Sequence, residues 1–175
     1  LLTTKLPDGS KGYSLVILLT AEGFAPIPVG LGFTLTGIGG LVALHRTVRT
    51  DVLRDGLKPG TLNSVLFPPD PLRNAPQIFS DLRRVFPPTT GRHVVGPMVQ
   101  LRWGSPTLLT LDLALLIELP SPVRVVVLGR LQVLLPDQSH PLVQIRMDAL
   151  GVLDVSAGTV SLDATLYDSR ILQFT

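Results

Sequence analysis

The stretch from Thr107 to Leu135 limits the possible folds more than any other part of this chain. It reads TLLTLDLALLIELP, then SP, then VRVVVLGRLQVLLP. Leu109, Leu111, Leu113, Leu115, Ile117 and Leu119 fall on every second position, and Val123, Val125, Val127, Leu131, Val133 and Leu135 repeat the pattern. A period of two places each set on one face of a β-strand. Pro120, Ser121 and Pro122 stand between the two sets and interrupt any ladder, so they mark a turn. The expectation is a long antiparallel hairpin with one continuous apolar face, and that face needs a cover.

The hairpin also carries charges at matching places. If the turn centres near Ser121, Glu118 lies opposite Arg124 and Asp112 opposite Arg130. Opposite charges across a ladder stabilise by about 0.2–1 kcal/mol and hold the register, since a one-residue slip would turn every side chain to the other face. Asp112 and Glu118 share a face but are six residues apart. At about 3.3 Å per residue they stand roughly 20 Å apart, too far for the paired carboxylates of a glycosidase.

The rest of the chain is organised around that hairpin. Tyr13 to Ala21 is almost wholly apolar and reads as a strand buried on both faces. Gly23 to Leu44 carries no charge over a length that could span a membrane as a helix, but its six Gly in GFAPIPVGLGFTLTGIGGLVAL and its two Pro oppose helix. The reading is two glycine-rich strands joined by a turn at Gly37-Ile38-Gly39-Gly40. The same glycines lack the GxGxxG spacing and the following Lys of a phosphate cradle.

Residues 49–87 change character and are expected to form a helical insertion that caps or plugs one end of the sheet. Thr50 is placed as a helix cap with Asp51 in the first turn, and Gly56 as the stop. Thr61 to Phe67 suits a further short turn, and FPPDP at Phe67–Pro71 a rigid elbow. Asn74, with Pro76 and Gln77 behind it, opens a second helix that ends near Phe86, before Pro87 and Pro88. Ile78, Leu82, Val85 and Phe86 share its apolar face, with Asp81, Arg83 and Arg84 turned elsewhere. Strands return at Val95–Trp103, Leu142–Ala149, Val152–Val155, Val160–Leu166 and Ile171–Phe174, with turns at Ala157-Gly158 and Asp168-Ser169. The lead-in, Leu1 to Gly12, is polar with a turn at Pro7-Asp8-Gly9.

The fold class that follows is mainly β: one long antiparallel meander, as a groove, half-barrel or sandwich, with a short helical insertion. Residues 1–175 read as a single β-rich domain or a segment of a longer chain, since both ends look cut. Composition agrees. The chain is 45% hydrophobic and only 16% charged, with 16 Gly and 16 Pro to serve turns. A formal charge of +2 with scattered arginines gives no footprint for nucleic acid. The absence of Cys excludes disulfides and thiolate metal sites.

Chemistry is hard to place. His45, His93 and His140 lack metal-binding spacing, and no GxSxG elbow occurs. Trp103, Arg102 and Phe86 are too few to claim a stacking surface, and Trp103 is expected to pack on the helical block.

Taken together, GFTLTGIGGLVALHRTV, LRDGL, SVLFPPDP, NAPQIFSDLRRVFPP and GRHVVGPMVQLRWG resemble an uncharacterised domain family of very long bacterial β-rich proteins. The later strands, VSLDATLYDSRILQFT, resemble more loosely the repeated strands of AsmA- and TamB-like bridge proteins. That likeness implies a β-groove with a greasy interior that conducts lipid. The expectation is a non-enzymatic structural or interaction segment of a larger β-rich assembly, with no cofactor. Its partners are neighbouring segments or other copies. The alternative is a hydrophobic groove that binds or transfers lipid.

Overall fold

A computed structural model of the chain describes residues 1–10, 12–57, 60–120 and 123–172. Eight strands form one antiparallel sheet in sequence order: β1 (Leu2–Lys5), β2 (Tyr13–Gly30), β3 (Phe33–Arg46), β4 (Pro88–Trp103), β5 (Leu109–Leu119), β6 (Arg124–Leu135), β7 (Val143–Asp154) and β8 (Thr159–Ile171). The sheet is open, with β1 and β8 as its edges. Such an order follows where each strand pairs with the one just made, and it holds even between β3 and β4, whose connection is long. The helical block between β3 and β4 holds α1 (Thr50–Asp55), a 3-10 turn at Thr61–Ser64 and α2 (Ala75–Val85).

Several boundaries differ from the sequence reading. β3 runs straight through Gly37–Gly40, and the β2–β3 turn falls at Leu31-Gly32. Both turn residues have positive φ, 53° and 80°, the backbone of a two-residue hairpin loop of type I′. Gly37 is needed for space instead: a Cβ there would lie 3.0 Å from Phe67 Cε1 and from Gln100 Cβ. Tyr13 to Ala21 is not buried on both faces, because only Ser14 and Val16 are buried and Leu19 is 69% exposed. The two strands read at Leu142–Ala149 and Val152–Val155 are one, β7, with Gly151 inside the ladder opposite Val127. β8 likewise continues through Asp168, where a register shift and a φ of 45° mark a bulge rather than a turn. The lead-in is also partly strand, as β1. Ser121 and Pro122 of the hairpin turn, and Phe174 with the last strand end, lie outside the described residues.

The helices form close to where capping chemistry places them. Thr50 is the first helical residue, with Arg49 at the cap position. Asn74 does occupy the cap of α2, but its side chain donates to Pro69 O (2.7 Å) instead of capping, which ties the helix start to the proline elbow. Ile78, Leu82, Val85 and Phe86 are buried. Asp81 is buried with them, against expectation, because Ser64 Oγ (2.6 Å) and Gln77 Nε2 (3.0 Å) donate to its Oδ2.

The main correction concerns where the helical block sits. It does not plug an end of the sheet. It lies on one face, where Leu53, Leu62, Leu66, Ile78, Leu82 and Phe86 join one buried cluster with Leu41, Val94, Ala114, Leu116, Val126, Leu128 and Leu150. These strand residues belong to the set that alternates with the all-apolar series, so the core forms on the face with the weaker sequence signal.

Candidate functional site

The antiparallel register defines what each face carries. Leu111 lies opposite Leu131, Leu115 opposite Val127, and Ile117 opposite Val125. The row Val95–Ile117–Val125–Leu153–Val160 crosses five strands, and Val42 and Ile17 extend it to β3 and β2. Every apolar residue named for the hairpin strands therefore shares one face with its neighbours. Val123 lies just before β6, and its carbonyl accepts from Val155 N at 3.1 Å. No described segment of the chain packs over this face as a second layer, so Leu115, Leu119, Val127 and Leu135 remain 37–45% exposed. At Leu162, near the edge, exposure reaches 77%.

Over β5–β8 this open face is concave and encloses about 520 Å³. Its walls are Leu111, Leu113, Val125, Val127, Leu131, Met147, Leu153 and Leu162, and two glycines, Gly129 and Gly151, leave its floor low. A smaller hollow of about 350 Å³ lies on the same face over Ile17, Leu19, Ile38 and Val42. Trp103 is on this face too, not on the helical block; it donates from Nε1 to Leu31 O (3.0 Å) and leans on the Gly32 turn. Phe86 is on the other side of the sheet, so the two aromatics do not form one surface.

The covered face has three zones. Its apolar middle is flanked by two polar rows. One row runs Gln100–Asp112–Arg130–Asp148–Thr165, and the other Glu118–Arg124–Asp154–Thr159. The register thus sets Asp112 against Arg130 and Glu118 against Arg124. Glu118 is fully buried; Arg92 Nη2 stands 2.8 Å from its Oε1, Arg124 Nε 3.6 Å from its Oε2, and Thr47 Oγ1 donates to Oε1. Arg124 also donates to Val48 O (3.2 Å), so this row fastens the insertion to the sheet. At the other row Arg130 Nε donates to Asp148 Oδ1 (3.3 Å), with Nη1 3.9 Å from Asp112 Oδ2. Burial pushes the carboxyl pKa values of Asp112 and Asp148 above the usual range.

Sequence reasoning missed Asp148 and Asp154, although a signal was present. Asp112/Glu118, Arg124/Arg130 and Asp148/Asp154 repeat the same six-residue spacing on three successive strands. Each pair encloses two inward apolar residues; Ala114, Leu116, Val126, Leu128 and Leu150 become core, and Val152 packs partly buried against it. Gln100 and Tyr167 were missed as well, and Arg102 was weighed only for stacking beside Trp103; Tyr167 donates to Asp148 Oδ1 at 3.1 Å.

His45 and His93 have structural partners. His45 N donates to His93 Nδ1 (3.1 Å), and Gly91 N donates to His45 Nδ1 (3.0 Å). Both rings spend Nδ1 on backbone at a bulge in β3, where His45 has a φ of 52°. Among the described residues no group of three or more His, Cys, Asp or Glu could hold a metal ion.

Neither the curated proteins nor the solved structures contain a match to this chain. A family model does match, over residues 1–175, and the chain belongs to that group, the Family of unknown function (DUF6603).

Proposed function

We propose that this chain is a non-enzymatic structural or interaction segment of a larger β-rich assembly. It stacks its open apolar sheet face against another protein layer, a neighbouring segment of the same protein or another copy. One observation carries this reading: the sheet's helical cover lies on the opposite face, while the open face is apolar from β2 to β8. Eight strands about 4.8 Å apart, each about ten residues of 3.3 Å, give a face on the order of 1,000 Å². Soluble monomers rarely expose contiguous apolar patches of more than a few hundred Å². A standard protein interface covers about 800 Å² per partner, so one partner layer would suffice. On the strength of the resemblance we read the parent as a long bacterial β-rich protein.

The second reading is a hydrophobic groove that binds or transfers lipid. The concavity of about 520 Å³ over β5–β8 and the likeness of β7–β8 to AsmA- and TamB-like strands favour it. Native mass spectrometry of the purified full-length protein, with organic extraction of what accompanies it, separates the two. A lipid-free protein of defined subunit number is the expected result. Stoichiometric phospholipid or fatty acid would move the assignment to the lipid groove.

A further inference from the structure

We propose that the polar end of the covered face is a binding site for a small neutral polyhydroxylated ligand, a saccharide or polyol. A cavity of about 510 Å³ opens there, beyond the edge of the helical block, with Asn63 of the insertion as one wall. Its floor is the row Gln100–Asp112–Arg130 and the next row outward, Arg102–Thr110–Gln132–Arg146–Tyr167. Cavities of roughly 300–1,000 Å³ with a few convergent polar groups are the usual sites of small molecules.

The chemistry of the lining selects the class. The lining carries Arg102, Arg130 and Arg146 against Asp112 and Asp168, and Asp148, buried beneath it, is the third carboxylate. Two of the ion pairs are loose: Arg130 Nη1 is 3.9 Å from Asp112 Oδ2, and Arg146 Nη1 is 3.6 Å from Asp168 Oδ2. Three buried polar atoms of this cluster have no hydrogen-bond partner among the described residues: Asp112 Oδ1, Asp148 Oδ2 and Arg130 Nη2. The Asp112 side chain, which lines the cavity, is 9% exposed, and Asp148 lies fully buried beneath it.

These atoms are two acceptors and one donor within one cluster. An anion would serve Arg130 Nη2 but meet two carboxylates. A cation would serve the carboxylates but meet the guanidinium. An apolar group would leave all three atoms unpaired, at the desolvation cost of each. A hydroxyl both donates and accepts. Adjacent hydroxyls on one ring can donate to Asp112 and accept from Arg130 together, with Gln132 and Asn63 supplying amides at the rim. The face opposite, being apolar, offers no such pattern, so this site is independent of the packing surface proposed above.

Saturation-transfer NMR on the full-length protein tests this, with glucose, galactose, mannose, N-acetylglucosamine and myo-inositol as probes. Transfer to at least one probe is expected. Asp112→Asn, which removes the charged acceptor, should weaken that probe about tenfold or more. Gln132→Ala, a change at a half-buried rim residue, should weaken it several-fold with the fold intact, and decides the matter if Asp112→Asn does not fold. Asp8→Asn, in the exposed turn after β1 at the other edge of the sheet, should leave binding unchanged. No transfer to any of the five probes would overturn the proposal. So would equal binding by the wild type and Gln132→Ala, or inorganic phosphate displacing the sugar.

Discussion

The two faces of this sheet are built from alternate residues of the same strands, yet they have opposite fates. On β5, Leu115 is 39% exposed while its neighbour Leu116 is fully buried beneath the insertion. On β6 the same holds for Val127 and Val126. The face with uninterrupted Leu and Val is the open one. The face with Asp112, Glu118, Arg124 and Arg130 carries the core. The difference shows that hydrophobicity alone did not choose the side on which the insertion packs. The covered face offers what the apolar face lacks, partners for the insertion's own polar groups: the Glu118–Arg124 row holds Thr47 and Val48 O, and outside the rows Arg54 Nε donates to Asp163 Oδ2 (2.8 Å). A helix laid on the all-apolar face would find no such partners, and its register would be free to slide.

This contrast can be broken one residue at a time. Leu116→Ala should cost about 3–5 kcal/mol, since it leaves a cavity in a filled core, and Leu115→Ala on the same strand should cost less than about 1 kcal/mol. Urea denaturation of the two variants measures both. Equal losses would mean that the open face is as closed as the core in the isolated chain.

Glu118→Ala should come next, at about 2–3 kcal/mol, because it removes the buried carboxylate that Arg92 and Arg124 share beside the core. The loss is set below that of a fully buried pair because both arginines keep some contact with water. The variant should also loosen the insertion, read as faster amide exchange in α1 than in β7.

Acidification sharpens the contrast further. Burial raises the pKa of Asp112, Asp148 and Glu22, with Asp112 a second cause for Glu22. Where the folded state holds the proton more tightly than the unfolded chain, stability rises as pH falls through the raised values toward about 4. Hydrogen bonds from Ser10 and from Ser139 hold Asp8 and Asp137 low, and the Arg49 guanidinium does the same for Asp51. Their contribution is present above the unfolded value and is lost only below it. The urea midpoint at pH 5 should therefore equal or exceed that at pH 7, and Asp112→Asn should flatten the difference. A midpoint that falls between pH 7 and pH 5 would contradict the account of the Gln100–Asp112–Arg130–Asp148 row.

The smallest effect is expected on the open face itself. Val127→Thr should change the stability of the isolated chain by less than about 1 kcal/mol. Its consequence should appear as weaker association, read by sedentimentation of wild type and variant at equal concentration.

Much of this fold was legible in residues 107–135. Their period of two gave the hairpin, and Asp112 lies opposite Arg130 and Glu118 opposite Arg124 as the charge pattern suggested, because strand geometry is local. The location of the core was not legible. Ala114, Leu116, Val126 and Leu128 alternate with charges, so they looked like a solvent face; only the insertion, some fifty residues upstream, makes them a core. The Gly37–Gly40 run misled for a related reason. Glycine serves a turn and a close approach equally well, and the demand for space at Gly37 comes from Phe67. The polar cavity was hidden because its groups come from five strands whose alignment exists only in the sheet.

The central claim is that protein covers the open face in the intact molecule. A photo-crosslinking phenylalanine analogue in place of Val127, in the full-length protein in cells, tests it most directly. The account predicts an adduct to a peptide, from another segment or another copy, identified by mass spectrometry. An adduct to lipid, or a residue that reacts only with water, would contradict it.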